Sequence, residues 1–354
     1  MRTRPGAASF CSSLLVLFAL LPSCDIAELR CLETDGACNS ALVAALFQPT
    51  KVIAIAGSGG QIWVSRDGGA NYLEVIPGDP AVGYLTVHVV DSNSIFAAGN
   101  NGAPYYVDSV ALDSGWLAPF IPPSIGSFTD TAISPDGEYA GFTPDVSTLP
   151  TFYYKRSSSE NYSASTISAT GQSLIFHYAG AFHAVFPAGT FIYRRQTDGS
   201  FNPVGSTAPV PDVRGVAVNE NTAVLIDNPN NRVLLSTDGG LTWNPHAITG
   251  GTGCSHAAFG MGMYAIFCGG TPSIVVSTDG QNWSATGVDP TTALPSIQSL
   301  SFADGYFYIT GQNSSGNAAV MRTTDFFTYE PSFEGPAGIA EARDELTTFQ
   351  SLIR

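Results

Sequence analysis

One stretch constrains this chain more than its composition does: Arg232 to Trp243, Arg-Val-Leu-Leu-Ser-Thr-Asp-Gly-Gly-Leu-Thr-Trp. It reads as a strand, a tight Asp-Gly-Gly turn, and the tryptophan that opens the next strand. The unit recurs. Ser65-Arg-Asp67-Gly-Gly69-Ala-Asn-Tyr72 is a close copy, and Ser277-Thr-Asp279-Gly280-Gln-Asn-Trp283 is a copy shorter by one residue. Gln196-Thr-Asp198-Gly-Ser-Phe201 and Thr323-Thr-Asp325-Phe-Phe-Thr-Tyr329 are weaker ones.

The copies step along the chain with a period of about 41 to 47 residues, a length that belongs to repeat architectures. Two further units fit between Asp67 and Asp198, around Tyr105-Tyr-Val107 and Phe152-Tyr-Tyr154, where the turn motif is lost. Each unit repeats an apolar strand, a short turn, a second apolar strand, a Gly/Asn-rich loop, and the strand into the Asp turn. Val213–Val218 with Ala223–Ile226 and Ile297–Phe302 with Tyr306–Ile309 are two such opening pairs. Their near-continuous apolar runs suit strands buried on both faces. Four short strands per unit, seven times over, predict an all-β fold: a seven-bladed β-propeller of four-stranded antiparallel blades. The expected organisation is a leader over 1–23, a linker over 24–40, the propeller over 41–333 and a tail over 334–354. Two segments compete for the innermost strand of the first blade. One is Leu42–Phe47; the other is Thr348–Ile353, which would latch the ring from the C-terminus and leave Ala41–Leu46 to a short helix.

The turn chemistry explains the residue types. An Asp carboxylate accepts backbone N–H bonds inside its own turn, Gly supplies positive φ, and the ring that follows packs on neighbouring strands. At these residues the chain resembles the Asp-box, or BNR, repeat family, whose pattern is Ser/Thr-x-Asp-x-Gly-x-Thr-Trp. Ser236, Asp238, Gly240 and Trp243 match it throughout; Ser65, Asp67, Gly69 and Tyr72 match with a Tyr for Trp, and Ser277, Asp279, Gly280 and Trp283 match in shortened form. Asp325 and Tyr329 belong to the weaker copy. The resemblance spans about residues 41 to 333 and implies propellers as different in task as sialidases, sortilin-type receptors and photosystem assembly factors. It also implies that the boxes sit on the turn between third and fourth strands, away from the functional face.

Charge narrows the partners. The 354 residues carry 14 Lys+Arg against 29 Asp+Glu, a formal −15, with only Lys51 and Lys155 as lysines. A nucleic-acid partner needs a basic stripe, and none is present. The N-terminus carries Arg2 and Arg4 and then a short apolar run, Phe10–Leu21, too short to span a bilayer. Leu21-Pro-Ser-Cys24 resembles a bacterial lipobox, which implies a lipid anchor on Cys24 and a place in the cell envelope, at the outer membrane or cell surface rather than the inner membrane. Ordinary signal cleavage nearby is the alternative. With Cys11 in the leader and Cys24 lipidated, Cys31, Cys38, Cys254 and Cys268 remain, an even set that reads as two disulfides in an exported chain. A Gly260-Met-Gly262 turn would set Cys254 opposite Cys268. Zinc is the competing reading, without the spacing it prefers.

No catalytic set emerges. The Arg-Ile-Pro signature of sialidases is absent, and Arg66, Arg156, Arg194 and Arg322 sit beside strands that lead into Asp turns. Acids for paired general acid–base work are not identifiable. The five histidines, His88, His177, His183, His246 and His256, read as structural, and no cofactor or metal is implied. The loops opposite the Asp turns carry the candidate ligand face: Asn100, Asn101, Asp227, Asn228, Arg232, Gln312 and Asn313. The expectation is a non-catalytic binding or scaffold module for a protein or glycan. A glycan-active hydrolase or lyase, and an assembly factor for a membrane complex, are the alternatives.

Overall fold

The computed structural model describes residues 52–56, 61–76, 83–91, 94–100, 110–111, 115–116, 130–134, 138–143, 151–155, 163–166, 174–186, 191–206, 213–271, 273–335 and 347–349. All of them lie in one compact unit, Thr50–Arg354. The leader, Cys24, Cys31, Cys38, Leu42–Phe47 and Asn101 fall outside the described residues.

The described residues are strands, turns and two short 3-10 segments. Strands β1 (Val52–Ala56), β2 (Ile62–Ser65) and β3 (Leu73–Ile76) make an antiparallel meander. Next, β4 (Gly83–Asp91) pairs with β5 (Ser94–Asn100), and β6 (Val110–Ala111) with β7 (Gly115–Trp116). Strands β8 (Asp130–Ile133), β9 (Tyr139–Thr143), β10 (Thr151–Lys155) and β11 (Ser163–Thr166) form a four-stranded sheet. Strands β12 (Leu174–Tyr178), β13 (Ala181–Val185), β14 (Ile192–Arg195) and β15 (Phe201–Ser206) make an antiparallel meander whose last strand runs parallel to the fourth strand of the next one, Gly205 opposite Thr242 and Ser206 opposite Trp243, so that the two meanders form one eight-stranded sheet. The pattern continues through β16 (Val213–Val218), β17 (Ala223–Asp227), β18 (Arg232–Ser236) and β19 (Thr242–Ala247). It repeats in β20 (Cys254–Gly260), β21 (Met263–Cys268), β22 (Ile274–Ser277) and β23 (Ser284–Ala285). The last complete meander is β24 (Ser296–Ala303), β25 (Tyr306–Gln312), β26 (Ala318–Thr323) and β27 (Glu330–Glu334). Finally β28 (Thr347–Phe349) returns to pair with β1, Val52 opposite Phe349 and Ala54 opposite Thr347. The C-terminus thus adds the fourth strand to the first meander.

Local chemistry sets the hairpins. The first-to-second-strand turns Ala179-Gly180, Met261-Gly262 and Asp304-Gly305 are two-residue loops in which both residues have positive φ, from 47° to 81°. That twist matches the strands it joins, and the second position is glycine each time.

The core lies between successive sheets, as the side-chain period of two requires. On β17, Ala223 and Leu225 pack with Phe176, Tyr178 and Val185 of the preceding sheet. Val224 and Ile226 point the other way, into Tyr264, Ile266 and Trp283 of the following one. Each such side chain removed from water contributes roughly 1.5–3 kcal/mol. First strands are also tied laterally. His88 on β4 lies 3.1 Å from both the carbonyl and hydroxyl of Thr131 on β8, and the Ile175 amide on β12 donates to Asp130 of β8 at 2.6 Å. First strands β4, β8, β12, β16, β20 and β24 follow one another as neighbours, and β28 lies beside both β24 and β4.

Candidate functional site

The Asp turns join third to fourth strands. In the turn after β18, Asp238 Oδ1 accepts the amides of Leu241 (3.1 Å) and Thr242 (2.9 Å), and Oδ2 accepts the Thr242 hydroxyl (2.6 Å). Ser236 Oγ donates to Asp238 and accepts the Gly240 amide at 2.9 Å. Trp243, fully buried, donates its indole N–H to the Gly240 carbonyl at 3.1 Å. Asp67 and Asp279 hold the same set, with Asn71 and Asn282 side chains in place of the threonine. These bonds, the Asn71 side chain first among them, hold the Asp67 carboxyl at a pKa of about 2. Asp325 takes the amides of Phe327 and Thr328, and Phe326 occupies the glycine position at a positive φ of 60° with its ring buried against Phe307. Tyr329 donates to the Phe326 carbonyl, as the tryptophans do elsewhere. Asp198 departs from the pattern: it caps only Ser200, through its amide at 2.9 Å and its hydroxyl at 2.7 Å.

Three of the turns, those of Asp238, Asp325 and Asp67, also fasten their sheet to its neighbour. Gly205 donates to the Leu241 carbonyl at 3.1 Å and Val288 to that of Phe326 at 2.7 Å. Ser332 Oγ donates to the Gly69 carbonyl at 2.9 Å, and Tyr308 donates its hydroxyl to Gly68 at 3.1 Å. Gly240 packs against the ring of His183, where any Cβ would overlap Nε2. His183 is fully buried, stacked on Phe176, with Nδ1 3.1 Å from the Ala181 carbonyl, a contact that only an Nδ1–H satisfies. Nε2 is left buried without a partner. Burial, helped by the charge of Arg194, pulls its pKa down to about 4.

Opposite the Asp turns, the candidate face resolves into two polar knots. Asp227 is wholly buried; it receives Arg232 Nε at 2.6 Å and Asn230 Nδ2 at 3.0 Å. It therefore fixes Arg232 and has no surface for a ligand itself. Arg232 stays 22% exposed and Asn228 half-buried. Asn313 caps its own loop, accepting the amides of Ser315 and Asn317, and its side-chain amide donates to Glu334 at 2.8 Å. Gln312 donates to the Gly316 carbonyl. Asn100 ends β5, and Asn101 lies outside the described residues.

Cys254 and Cys268 stand opposite one another across the Met261-Gly262 hairpin and form a disulfide. Among the described residues no three His, Cys, Asp or Glu side chains are grouped to hold a metal ion. No helix among them is long and apolar enough to cross a membrane.

At the Asp-turn end, sequence reasoning missed a cleft of about 540 Å³ between the β8–β11 and β12–β15 sheets. Its walls include Glu138, Tyr154, Arg194 and Arg195. The Arg195 guanidinium sits over the Tyr154 ring, its central carbon 3.4 Å from the ring centre, and Tyr154 donates to Glu138 at 2.6 Å. Arg194 is paired with His183 across the strands and turns to the other face of the sheet, where its Nε is buried without an acceptor. The sequence signal was there in Arg195 entering a defective box, but it reads equally as the end of a strand.

No family model matches the sequence, and no curated protein matches it. Solved structures do. YCF48 bound to D1 peptide superposes with a TM-score of 0.55 at 13% identity, over 71% of this chain and 82% of that one. The GH74 enzyme of Niastella koreensis gives 0.54 at 17% identity, over 76% of this chain and 42% of its own length. A streptogramin B lyase gives 0.52 at 12% identity, over 74% and 90%. These neighbours are β-propellers, and at such identities the likeness is one of fold: the chain is a β-propeller.

Proposed function

We propose that this propeller has seven four-stranded blades of the Asp-box type and is a binding or scaffold module for a protein or glycan, exported to the bacterial cell envelope and anchored by lipid on Cys24. The unbroken succession of neighbouring first strands, with β28 between β24 and β4, supports the blade count. The lipobox-like Leu21-Pro-Ser-Cys24 supports the anchor.

The observation that carries the binding reading is the Asp227–Arg232 knot. A carboxylate buried at 0% exposure holds a partly exposed guanidinium at 2.6 Å on the end away from the box turns. A side chain fixed before its ligand arrives loses little rotamer entropy on binding, so such a group favours recognition. The same geometry suits an assembly factor that recognises a peptide; YCF48, a structural neighbour, is solved bound to D1 peptide.

The test uses the full-length protein against solubilised envelope fractions and a glycan array. Arg232→Lys keeps Asp227 compensated while removing the planar fork, and Asn228→Ala trims the same rim. Each is expected to weaken the captured ligand by about tenfold with unchanged melting. A ligand held equally well by both variants and the wild type would remove this face from the reading. The anchor is tested separately: Cys24→Ala protein that is still processed and retained on membranes excludes lipidation there.

A further inference from the structure

We infer that the Asp-turn end of the propeller is a bilayer-contacting surface, whose exposed apolar side chains enter the interfacial region of a neutral, zwitterionic membrane. The choice of lipid as the occupant rests in part on the anchored reading proposed above.

Two observations carry this. The first is where apolar surface is left. Among the described residues, six large apolar side chains are 49% to 69% exposed. Single ones are ordinary on any protein surface, but these are gathered. Phe191 lies at the far end, on the connection between β13 and β14. Leu241 and Phe327 hold the same place in two boxes, where the Asp carboxylate takes the backbone amide and the turn asks nothing of the side chain. Met261 caps the β20–β21 hairpin, Val288 donates its amide to the Phe326 carbonyl, and Leu73 follows the Asp67 box. In an antiparallel meander the first-to-second and third-to-fourth connections open on the same end, so these five side chains share it. They span four successive meanders, from β16–β19 round to the one that holds β1.

The second observation is where the chain enters. Strand β1 runs antiparallel to β2 with Ile53 opposite Ser65, the first residue of a box. The residues before Val52, Cys24 among them, are therefore joined to the propeller at the Asp-turn end. A lipid on Cys24 raises the effective concentration of bilayer at that end, and apolar side chains there gain by leaving water for the acyl boundary. Charge selects the lipid. The same corners hold Asp67, Asp238, Asp279 and Asp325, against Arg66 as the one basic residue of those four boxes. An anionic headgroup layer repels such a surface, and a zwitterionic one admits it. The Asp227–Arg232 knot, at the other end, then faces away from the membrane.

The test places the full-length protein, with its own N-terminal segment, on phosphatidylcholine vesicles whose acyl chains carry bromine, a quencher of tryptophan emission. Leu241→Trp and Phe327→Trp each add a reporter at the Asp-turn end, and Phe191→Trp adds one at the other; the unsubstituted protein gives the background of its own tryptophans. The two box reporters are expected to be quenched and the Phe191→Trp reporter to be unaffected. Admixed phosphatidylglycerol at low ionic strength should weaken the quenching. In Cys24→Ala protein, Leu241→Ser and Phe327→Ser should each lower partitioning into phosphatidylcholine about fivefold relative to their parent, a ratio in which the contribution of the leader cancels. Phe191→Ser should leave it unchanged. Equal quenching at both ends, or quenching strengthened by phosphatidylglycerol, would overturn the assignment. Box reporters left unquenched on protein that carries lipid at Cys24 would overturn it too, giving this arc to a protein partner while the anchor stands. Quenched box reporters with Cys24 found unmodified would keep the surface and set the anchor aside.

Discussion

The sheet β12–β15 has a seam on each side, and the two are built differently. Toward β16–β19 the seam is closed by an intact box: Trp243 is fully buried, Gly240 lies on His183, and Gly205 donates to Leu241. Toward β8–β11 the sheet offers its own turn, Gln196 to Ser200, in which Asp198 caps a single residue. There Phe201 replaces the tryptophan, edge-on to Phe152 at 4.2 Å, and Arg195 roofs Tyr154. The corresponding groove between β16–β19 and β20–β23 has similar volume, about 590 Å³, and its Asn219 and Asp279 side chains are engaged. Asn219 donates to Tyr264 at 2.7 Å and accepts the amides of Asn221 and Thr222, and Asp279 is filled by its own turn. A complete box uses its polarity to hold neighbours together. An eroded one, like that of Asp198, caps only itself.

The contrast is broken most forcefully at the rings. Trp243→Ala opens a cavity in a seam lined by Phe176, Val185, Leu225 and Leu234, and the expected loss is about 3–5 kcal/mol. Phe201→Ala, at a half-buried site, is expected to cost about 1–2 kcal/mol. Urea unfolding of both variants checks this; equal losses would mean that the two seams bear the same load.

Acid probes the closed seam next. His183 has a native pKa of about 4, against about 6.5 in an unfolded chain, because burial disfavours its charged form. Between those values the unfolded state binds the extra proton, so stability falls as pH drops from 6.5 to 4 and levels off below. The shift corresponds to about 3 kcal/mol. His256, stacked on Phe267, is lowered to about 4 as well by burial and adds a parallel slope. His183→Leu is therefore expected to lose roughly half the slope of unfolding free energy against pH in this window, whatever its absolute stability. A slope identical to that of the wild type would show that Gly240 does not keep the ring desolvated.

The repeat was legible because a tight Asp-Gly turn has few chemical solutions. The alternation that buries Ala223 and Leu225 on one side and Val224 and Ile226 on the other was equally readable, as an unbroken apolar run. What the box does beyond its own turn was not legible. Its carbonyls at Gly68, Gly69, Leu241 and Phe326 accept from the preceding sheet, and backbone acceptors leave no trace in residue type. The candidate face was legible as loops but not as geometry. Asp227 in sequence is one more polar loop residue; only its place at the buried end of β17 turns it into a support for Arg232. The cleft needed Glu138 and Arg195, far apart in sequence, to meet across two sheets. Thr323 to Tyr329 reads as one of the two weaker boxes and makes nearly a full set of bonds, because Phe326 accepts the positive φ in exchange for burying its ring.

The smallest effect is the sharpest discriminator. Asp238→Ala removes the acceptor for the Leu241 and Thr242 amides and for the Thr242 hydroxyl. Those amides are exposed, so water replaces the carboxylate, and the cost falls at the low end of the range, about 1 kcal/mol. In a chain of this size that lowers the melting midpoint by roughly 1–3 °C. Asp198 serves only Ser200 in an exposed turn, so Asp198→Ala is expected to leave the midpoint in place. The Asp238 change should also loosen the turn that presents Leu241 to Gly205, which amide exchange at Gly205 would register as faster opening. No such change is expected from Asp198, whose carboxylate serves Ser200 and, among the described residues, makes no hydrogen bond to the sheet before it. If Gly205 exchanges at the wild-type rate in Asp238→Ala protein, the carboxylate shapes its own corner only, and the seam is held by Trp243 and Gly240 without it.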